Sequence, residues 1–174
     1  MKDTNFKYFK FQVDIRGLLG KNMNKLEEEV GEFLRILERE EGHSFKIFSQ
    51  YHLEGASGKD WRIDFVIKDF GEVKYLVECK NVESGNKSTF FTEMCRAYTE
   101  LCDLLLKLND GIDSPTVIGI VVVPAISYIS DDNDRWSDDF DSWWKFFKPI
   151  NSKFFNLIMF KDEELGILGL IRGI

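Results

Sequence analysis

The chain has 174 residues, a formal net charge of −7, and a composition that is 44% hydrophobic and 14% aromatic. This composition suits one globular domain with a sizeable core and excludes a disordered chain. No stretch approaches the roughly 20 apolar residues that span a bilayer, and the N-terminus lacks the apolar block of a secretory signal. We therefore expect a cytoplasmic protein with no membrane partner.

In the first half of the chain, hydrophobic periodicity predicts a helix followed by strands. Apolar residues recur at helical spacing between Asn24 and Gly42, and the glycine ends the helix. Residues 45–54 alternate loosely, as a strand does. Residues 61–81 predict two strands around a turn, which together make a hairpin. The inward positions of the helix are predicted to be Leu26, Val30, Phe33, Leu34 and Leu37.

The second half begins with another helix and a buried strand. Residues 88–109 predict a helix, and residues 115–125 are apolar on both faces, as in a central strand. Residues 141–150 predict a short helix, and residues 154–160 and 165–174 predict closing strands. The order of elements indicates one domain, residues 1–174, with an α/β or α+β sheet flanked by helices. The inward positions of the second helix are predicted to be Met94, Ala97, Leu101, Leu105 and Leu108.

The negative charge is concentrated in one acidic segment. Residues 131–141 hold six Asp and one Arg, a net of −5, and removing them from the total of −7 leaves −2 for the rest. An acidic balance discourages a nucleic-acid partner, but a nearly neutral body leaves room for a local basic groove. The Trp residues within 131–147 are expected to pack on the body or on a second subunit.

The three cysteines do not predict a metal site. Cys79, Cys95 and Cys102 lack the spacing of zinc ligands, and their odd number argues against a disulfide framework. We expect them to be small buried hydrophobic residues.

The hairpin carries charges where a strand should be buried. Glu78 and Lys80 follow an apolar run, and the alternation of a strand puts both on one face. With a three-residue loop at 70–72, Asp64 would lie opposite Glu78, with Cβ atoms about 5 Å apart. The same register puts Lys80 near Arg62.

Two facing carboxylates repel each other unless a cation lies between them. A hard divalent cation, Mg²⁺ or alternatively Mn²⁺, takes carboxylate oxygens together with water and a substrate phosphate. Asp64 and Glu78 are therefore the predicted metal ligands. Lys80 beside them could orient or deprotonate a water, or offset negative charge on a phosphoryl group.

These residues give the chain a resemblance to a known superfamily. "RIDFVI" and "YLVECKN", between a Glu-bearing helix and a second helix, resemble the PD-(D/E)XK nucleases. The resemblance covers about residues 22–125 and leaves 126–174 as a C-terminal extension. It implies a restriction-endonuclease-like core, made of a helix, a three-stranded meander, a helix and a strand, and a metal-dependent nuclease acting on DNA. It also allows a homodimer, because cutting two strands takes two active sites.

The resemblance assigns roles to individual residues. Asp64 and Glu78 resemble the metal-binding acids, Lys80 the catalytic lysine, and Glu27 the acid that the first helix often adds. The residue before Asp64 is Ile63 rather than proline. No glutamine motif occurs between residues 90 and 98, so the branch within the superfamily is unassigned.

Other interpretations of the same residues stay open. The Asp64, Glu78 and Lys80 cluster could be a structural ion-pair group in a non-catalytic binding protein built on the same scaffold. Glu27 could instead close a capping box with Asn24. A third function, mimicry of nucleic acid by the Asp-rich segment, rests on charge alone. Two residues that follow the motif could contact substrate phosphate or belong to a solvated face: Lys87 and Arg96.

Overall fold

The structure, a computed structural model, describes residues 25–41, 44–80, 87–110, 116–123 and 155–159, and at 41, 87–90 and 155–159 it describes the backbone alone. The predictions for the acidic and Trp-rich segment, its short helix and the last closing strand lie outside these residues. The described elements, in chain order, are α1 (Lys25–Glu41), β1 (Phe45–Glu54), β2 (Asp60–Asp69), β3 (Glu72–Cys79), α2 (Lys87–Leu108), β4 (Ile118–Val123) and β5 (Phe155–Met159).

The five described strands form one mixed sheet in the order β1-β2-β3-β4-β5. The first three make an antiparallel meander, whereas β4 runs parallel to both β3 and β5. Two parallel neighbouring strands need a crossover connection, and the segment that contains α2 makes this connection between β3 and β4. The protein is therefore α+β, with the order of elements that the sequence predicted.

One helix packs on each face of the sheet, and this arrangement creates two core layers. The α1 layer and the α2 layer share no buried residue, because the side chains of a strand alternate between faces. The α1 layer contains Leu26, Val30, Leu34, Leu37, Phe45, Phe65, Ile67, Val77, Cys79, Ile120 and Val122. The α2 layer contains Ile63, Val66, Leu76, Met94, Ala97, Tyr98, Leu101, Leu104, Leu105, Val117, Val121 and Val123.

Most of the predicted inward positions are confirmed by these layers. Phe33 and Leu108 are only partly buried at the edges. The prediction that β4 is buried on both faces is also confirmed, since its residues alternate between the two layers. The prediction that all three cysteines are buried is confirmed for Cys79 alone, because Cys95 is only partly buried and Cys102 is exposed.

The hairpin has the predicted register at its open end and a different turn. Phe65 pairs with Val77, as a pairing of Asp64 with Glu78 requires. The predicted three-residue loop is wrong, because Asp69 pairs with Glu72 around a two-residue turn. Both turn residues have positive φ, 48° at Phe70 and 85° at Gly71, as a tight hairpin of this length demands. An irregularity at Ile67/Lys68 adds the missing residue and restores the register.

Neither α1 nor α2 combines the length and the apolar character that a bilayer-spanning helix requires.

Candidate functional site

The candidate site lies where β2 and β3 separate. Their ladder ends at Phe65 and Val77, and two side chains replace the next rung. The Cys79 N–H donates to Asp64 Oδ2 at 2.7 Å, and the Asp64 N–H donates to Glu78 Oε2 at 3.3 Å. Asp64 and Glu78 therefore meet, as predicted, but in a fork between strands rather than as a paired rung.

Lys80 lies beside this pair of acids. Its Nζ donates to Glu78 Oε1 at 2.6 Å, and the side chain of Glu78 is buried whereas 11% of the Lys80 side chain is exposed. Cys79, between them, packs in the α1 layer, so Glu78 and Lys80 share the opposite face, as predicted. The predicted pairing that would bring Lys80 near Arg62 is not formed, because the β2–β3 ladder ends at Phe65 and Val77.

Glu27 joins the cluster from the first turn of α1. Its Oε1 accepts a hydrogen bond from Gln50 Nε2, and the same nitrogen donates to Asp64 Oδ1 at 3.1 Å. Val30 and Leu34 anchor this helix face in the core. The side chain of Glu27 thus points toward the acids, and the capping partner proposed for it, Asn24, lies outside the described residues.

Helix α2 contributes a carboxylate that sequence reasoning missed. Glu100 is only 4% exposed, and its Oε2 lies 4.0 Å from Lys80 Nζ. Its Oε1 accepts a hydrogen bond from Arg96 Nε at 2.9 Å. Arg96 is therefore linked to the site through Glu100, with most of its side chain exposed. Lys87 begins α2, and its side chain lies outside the described residues.

Burial makes the acids of the site reluctant to ionise. Desolvation, reinforced by the charge of Asp64, raises the pKa of Glu78 to about 7. Desolvation also raises the pKa of Asp64, although the hydrogen bond from Cys79 opposes the shift. The pKa of Glu27 is raised too, first by burial and then by Asp64. Concentrated negative charge in a buried place is what a bound cation would relieve.

Lys80 stays protonated at neutral pH. Burial alone would lower its pKa, but nearby carboxylates outweigh this effect and raise the pKa. The charge of Glu78 and the hydrogen bond to it contribute most, and the charges of Glu100 and Asp64 contribute less. A lysine in this state orients or neutralises an anion and does not remove a proton from water.

A second acid-x-Lys pair in the same strand provides an internal comparison. Glu72 and Lys74 also form an ion pair, at 2.9 Å, but Glu72 is largely exposed at the turn. Their side chains interact with each other, and among the described residues no second acid is hydrogen-bonded to them. Position in the sheet, rather than the tripeptide pattern, distinguishes Glu78 and Lys80.

The donor set suits a magnesium-type cation better than a zinc-type one. Within the described ranges, no three or more His, Cys, Asp or Glu side chains form a group that could by itself hold a metal ion. Mg²⁺ does not need such a cage, since it binds through one or two carboxylates, water and substrate phosphate. Asp64 and Glu78 fit that requirement by chemistry and by number.

Two members of the cluster, Gln50 and Glu100, were not predicted. Glu100 had a sequence signal, because it lies on the same helical side as Ala97 and Leu104, both fully buried. An acid on an apolar helix face needs a cationic partner. Gln50 had no such signal, because its role depends on the conformation of β1.

Comparisons of the chain with protein-family models, with curated proteins and with solved structures gave no significant match.

Proposed function

We propose that the protein is a Mg²⁺-dependent nuclease that hydrolyses phosphodiester bonds of DNA. The observation that carries the proposal is the convergence of Asp64, Glu78 and Lys80 at the fork between β2 and β3. The order of described elements is also the order expected of a restriction-endonuclease-like core.

Each residue has a distinct part in the proposed reaction. Asp64 and Glu78 would hold the cation. Glu27 would add negative charge on the side of the cation that faces α1. A bound Mg²⁺ would supply an activated water and stabilise charge on the phosphoryl oxygens. Lys80, protonated and held against Glu78, would place a positive charge beside the scissile phosphate. Arg96, exposed on α2, is the candidate contact for the substrate backbone.

Cleavage of a labelled DNA substrate with Mg²⁺ or Mn²⁺ tests the proposal. We expect Asp64→Asn and Lys80→Met each to lower the cleavage rate at least about a hundredfold. Asp64→Asn weakens a ligand of the proposed cation, and Lys80→Met removes a positive charge beside the scissile phosphate. Lys74→Met provides the matched control, because it removes a lysine from the same pattern in the same strand. Circular dichroism and thermal unfolding establish that each variant is folded.

Equal cleavage by wild type, Asp64→Asn and Lys80→Met would refute the proposal. A loss of the same size in Lys74→Met would assign the effect to general charge rather than to the site.

A non-catalytic binding protein is the second candidate, and one observation favours it. Both oxygens of Asp64 and both oxygens of Glu78 already accept hydrogen bonds from protein groups. A satisfied buried network of this kind also serves a purely structural role. Calorimetric titration with Mg²⁺ or Mn²⁺ separates the nuclease from the non-catalytic binding protein. A metal site would bind the ion and lose that binding in Glu78→Gln, whereas a structural cluster would bind no ion in either protein.

A further inference from the structure

Gln50 has a backbone conformation that strands avoid. Its φ is 50°, in the left-handed region, although it is neither glycine nor asparagine and lies inside β1. The residues on either side pair normally, Ser49 with Phe65 and Tyr51 with Ile63, whereas Gln50 makes no rung with Asp64. A strained residue in the middle of a strand persists only where its surroundings hold it.

The strain coincides with a change of face in both strands. On β1, Ile47 packs in the α1 layer and Tyr51 in the α2 layer, although residues four apart on a regular strand point to the same face. On β2, Phe65 packs in the α1 layer and Ile63 in the α2 layer, although residues two apart should also share a face. Gln50 and Asp64 lie at the point where both strands make this change, so neither follows the ordinary alternation.

The side-chain amide of Gln50 lies between two acids. Its NH₂ group has two hydrogens, and it donates one to Glu27 and one to Asp64. Carboxylates only accept, so the amide nitrogen is the end of Gln50 that satisfies both. The amide thus joins an acid from α1 to an acid from β2 and relieves part of their repulsion.

We infer that Gln50 is a positioning residue that substitutes for the cation in the metal-free protein and must release its two carboxylates when a divalent ion binds. The inference rests on the proposed function, since it concerns the same site. The amide occupies Asp64 Oδ1, an oxygen of a proposed metal ligand, and Glu27 Oε1, an oxygen of the acid that adds negative charge beside it. A hard cation would compete with the amide for this carboxylate charge. Gln50 therefore keeps the acids together without metal and weakens metal binding by competition.

Mn²⁺ affinity, measured by calorimetry at pH 7.5 without nucleic acid, tests this inference. Gln50→Met keeps an unbranched side chain of similar size and removes both donors. We expect it to bind Mn²⁺ about tenfold more tightly than wild type, because two charge-assisted hydrogen bonds no longer compete. In EDTA the same variant should unfold at a lower temperature, and Mn²⁺ should raise its midpoint by more than that of wild type.

A glycine variant separates the amide from the backbone. Gln50→Gly accommodates a positive φ without strain and also lacks the donors. It should match Gln50→Met in Mn²⁺ affinity while being the more stable of the two in EDTA. A residue with a merely structural role would not tighten metal binding when it is removed.

Unchanged or weaker Mn²⁺ binding by Gln50→Met would overturn the inference, as would the absence of Mn²⁺ binding in wild type and variants alike. Wild type that binds Mn²⁺ and cuts no DNA would overturn the nuclease proposal alone. Wild type that cuts DNA, with a Gln50→Met variant of unchanged Mn²⁺ affinity, would overturn the inference alone.

Discussion

At the scale of single residues, the chemistry of the site depends on where each charge is buried. Glu78 and Glu100 are each 4% exposed, and they share Lys80 between them. One lysine inside a group of carboxylates cannot neutralise all of them. The metal-free protein therefore carries an electrostatic cost that grows as the acids ionise.

The stability of the metal-free protein should consequently fall as the pH rises from 5 to 8. Folded Glu78 holds its proton up to about pH 7, against an ordinary value near 4.5. Its stabilising contribution is complete below the ordinary value and is lost as the pH rises through the folded pKa. Asp64 and Glu27 shift in the same direction. We expect a loss of unfolding free energy on the order of 2 kcal/mol, measured by urea denaturation in EDTA.

Two further measurements control this pH dependence. Glu78→Gln cannot titrate in this range and should lose most of the slope, and added Mg²⁺ should flatten the slope of wild type. The raised pKa of Lys80 acts at far higher pH and does not affect the window. A stability that is constant or rises between pH 5 and 8 would contradict the expectation.

At the scale of elements, Asp103 of α2 is hydrogen-bonded to the turn between β1 and β2 and to the start of β2. Asp103 accepts hydrogen bonds from the Ser57 backbone at 2.8 Å, from the Ser57 hydroxyl at 2.7 Å, and from Trp61 Nε1 at 2.7 Å. The Ala56 N–H donates to the Asp103 carbonyl at 3.0 Å. This tie fixes α2, which carries Glu100, relative to β2, which carries Asp64.

Gly55→Ala should disturb this tie. An added Cβ would lie 1.9 Å from Asp103 Oδ2 and 2.5 Å from its Cγ, so the carboxylate would have to leave its donors. We expect a loss of about 1–3 kcal/mol in unfolding free energy, measured by urea denaturation. In an Asp103→Ala background the same substitution should have a much smaller effect, because the clash is gone. Equal effects in the two backgrounds would show that the contact does not limit position 55.

At the scale of the whole molecule, the site depends on both core layers at once. Glu27 comes from the helix on one face, whereas Glu100 comes from the helix on the other. Asp64 lies between them in the fork, hydrogen-bonded to Gln50 of β1 and to Cys79 of β3. Neither helix could move on the sheet without altering the distances between the acids.

Loss of packing under α1 should therefore reduce stability and also weaken the site. Leu34 lies on the buried face of α1 and is fully buried. We expect Leu34→Ala to lower the unfolding free energy by about 2–5 kcal/mol. Ile36 provides the matched control on the same helix, because it is 37% exposed and its truncation should cost well under half as much. Urea denaturation of the two variants measures the difference, and equal losses would contradict the layered core.

The sequence determined the elements and brought together Asp64, Glu78 and Lys80, because both results depend on local patterns. Apolar spacing located α1, α2 and the strands, since burial of one face repeats at the period of each element. Strand alternation placed Glu78 and Lys80 together, and the predicted register brought Asp64 to them despite a wrong turn. The two-residue turn requires positive φ at Phe70 as well as at Gly71, which a bulky side chain rarely adopts. Neither this turn nor the compensating bulge was therefore readable from the pattern.

Only the tertiary structure decided how the site is completed. Gln50 reaches Asp64 because β1 changes face, and Glu100 reaches Lys80 because α2 packs across the sheet. The burial that raises the pKa of Glu78 likewise arises from both layers together. Sequence patterns report the period of one element at a time, whereas distances between elements and desolvation exist only once those elements pack.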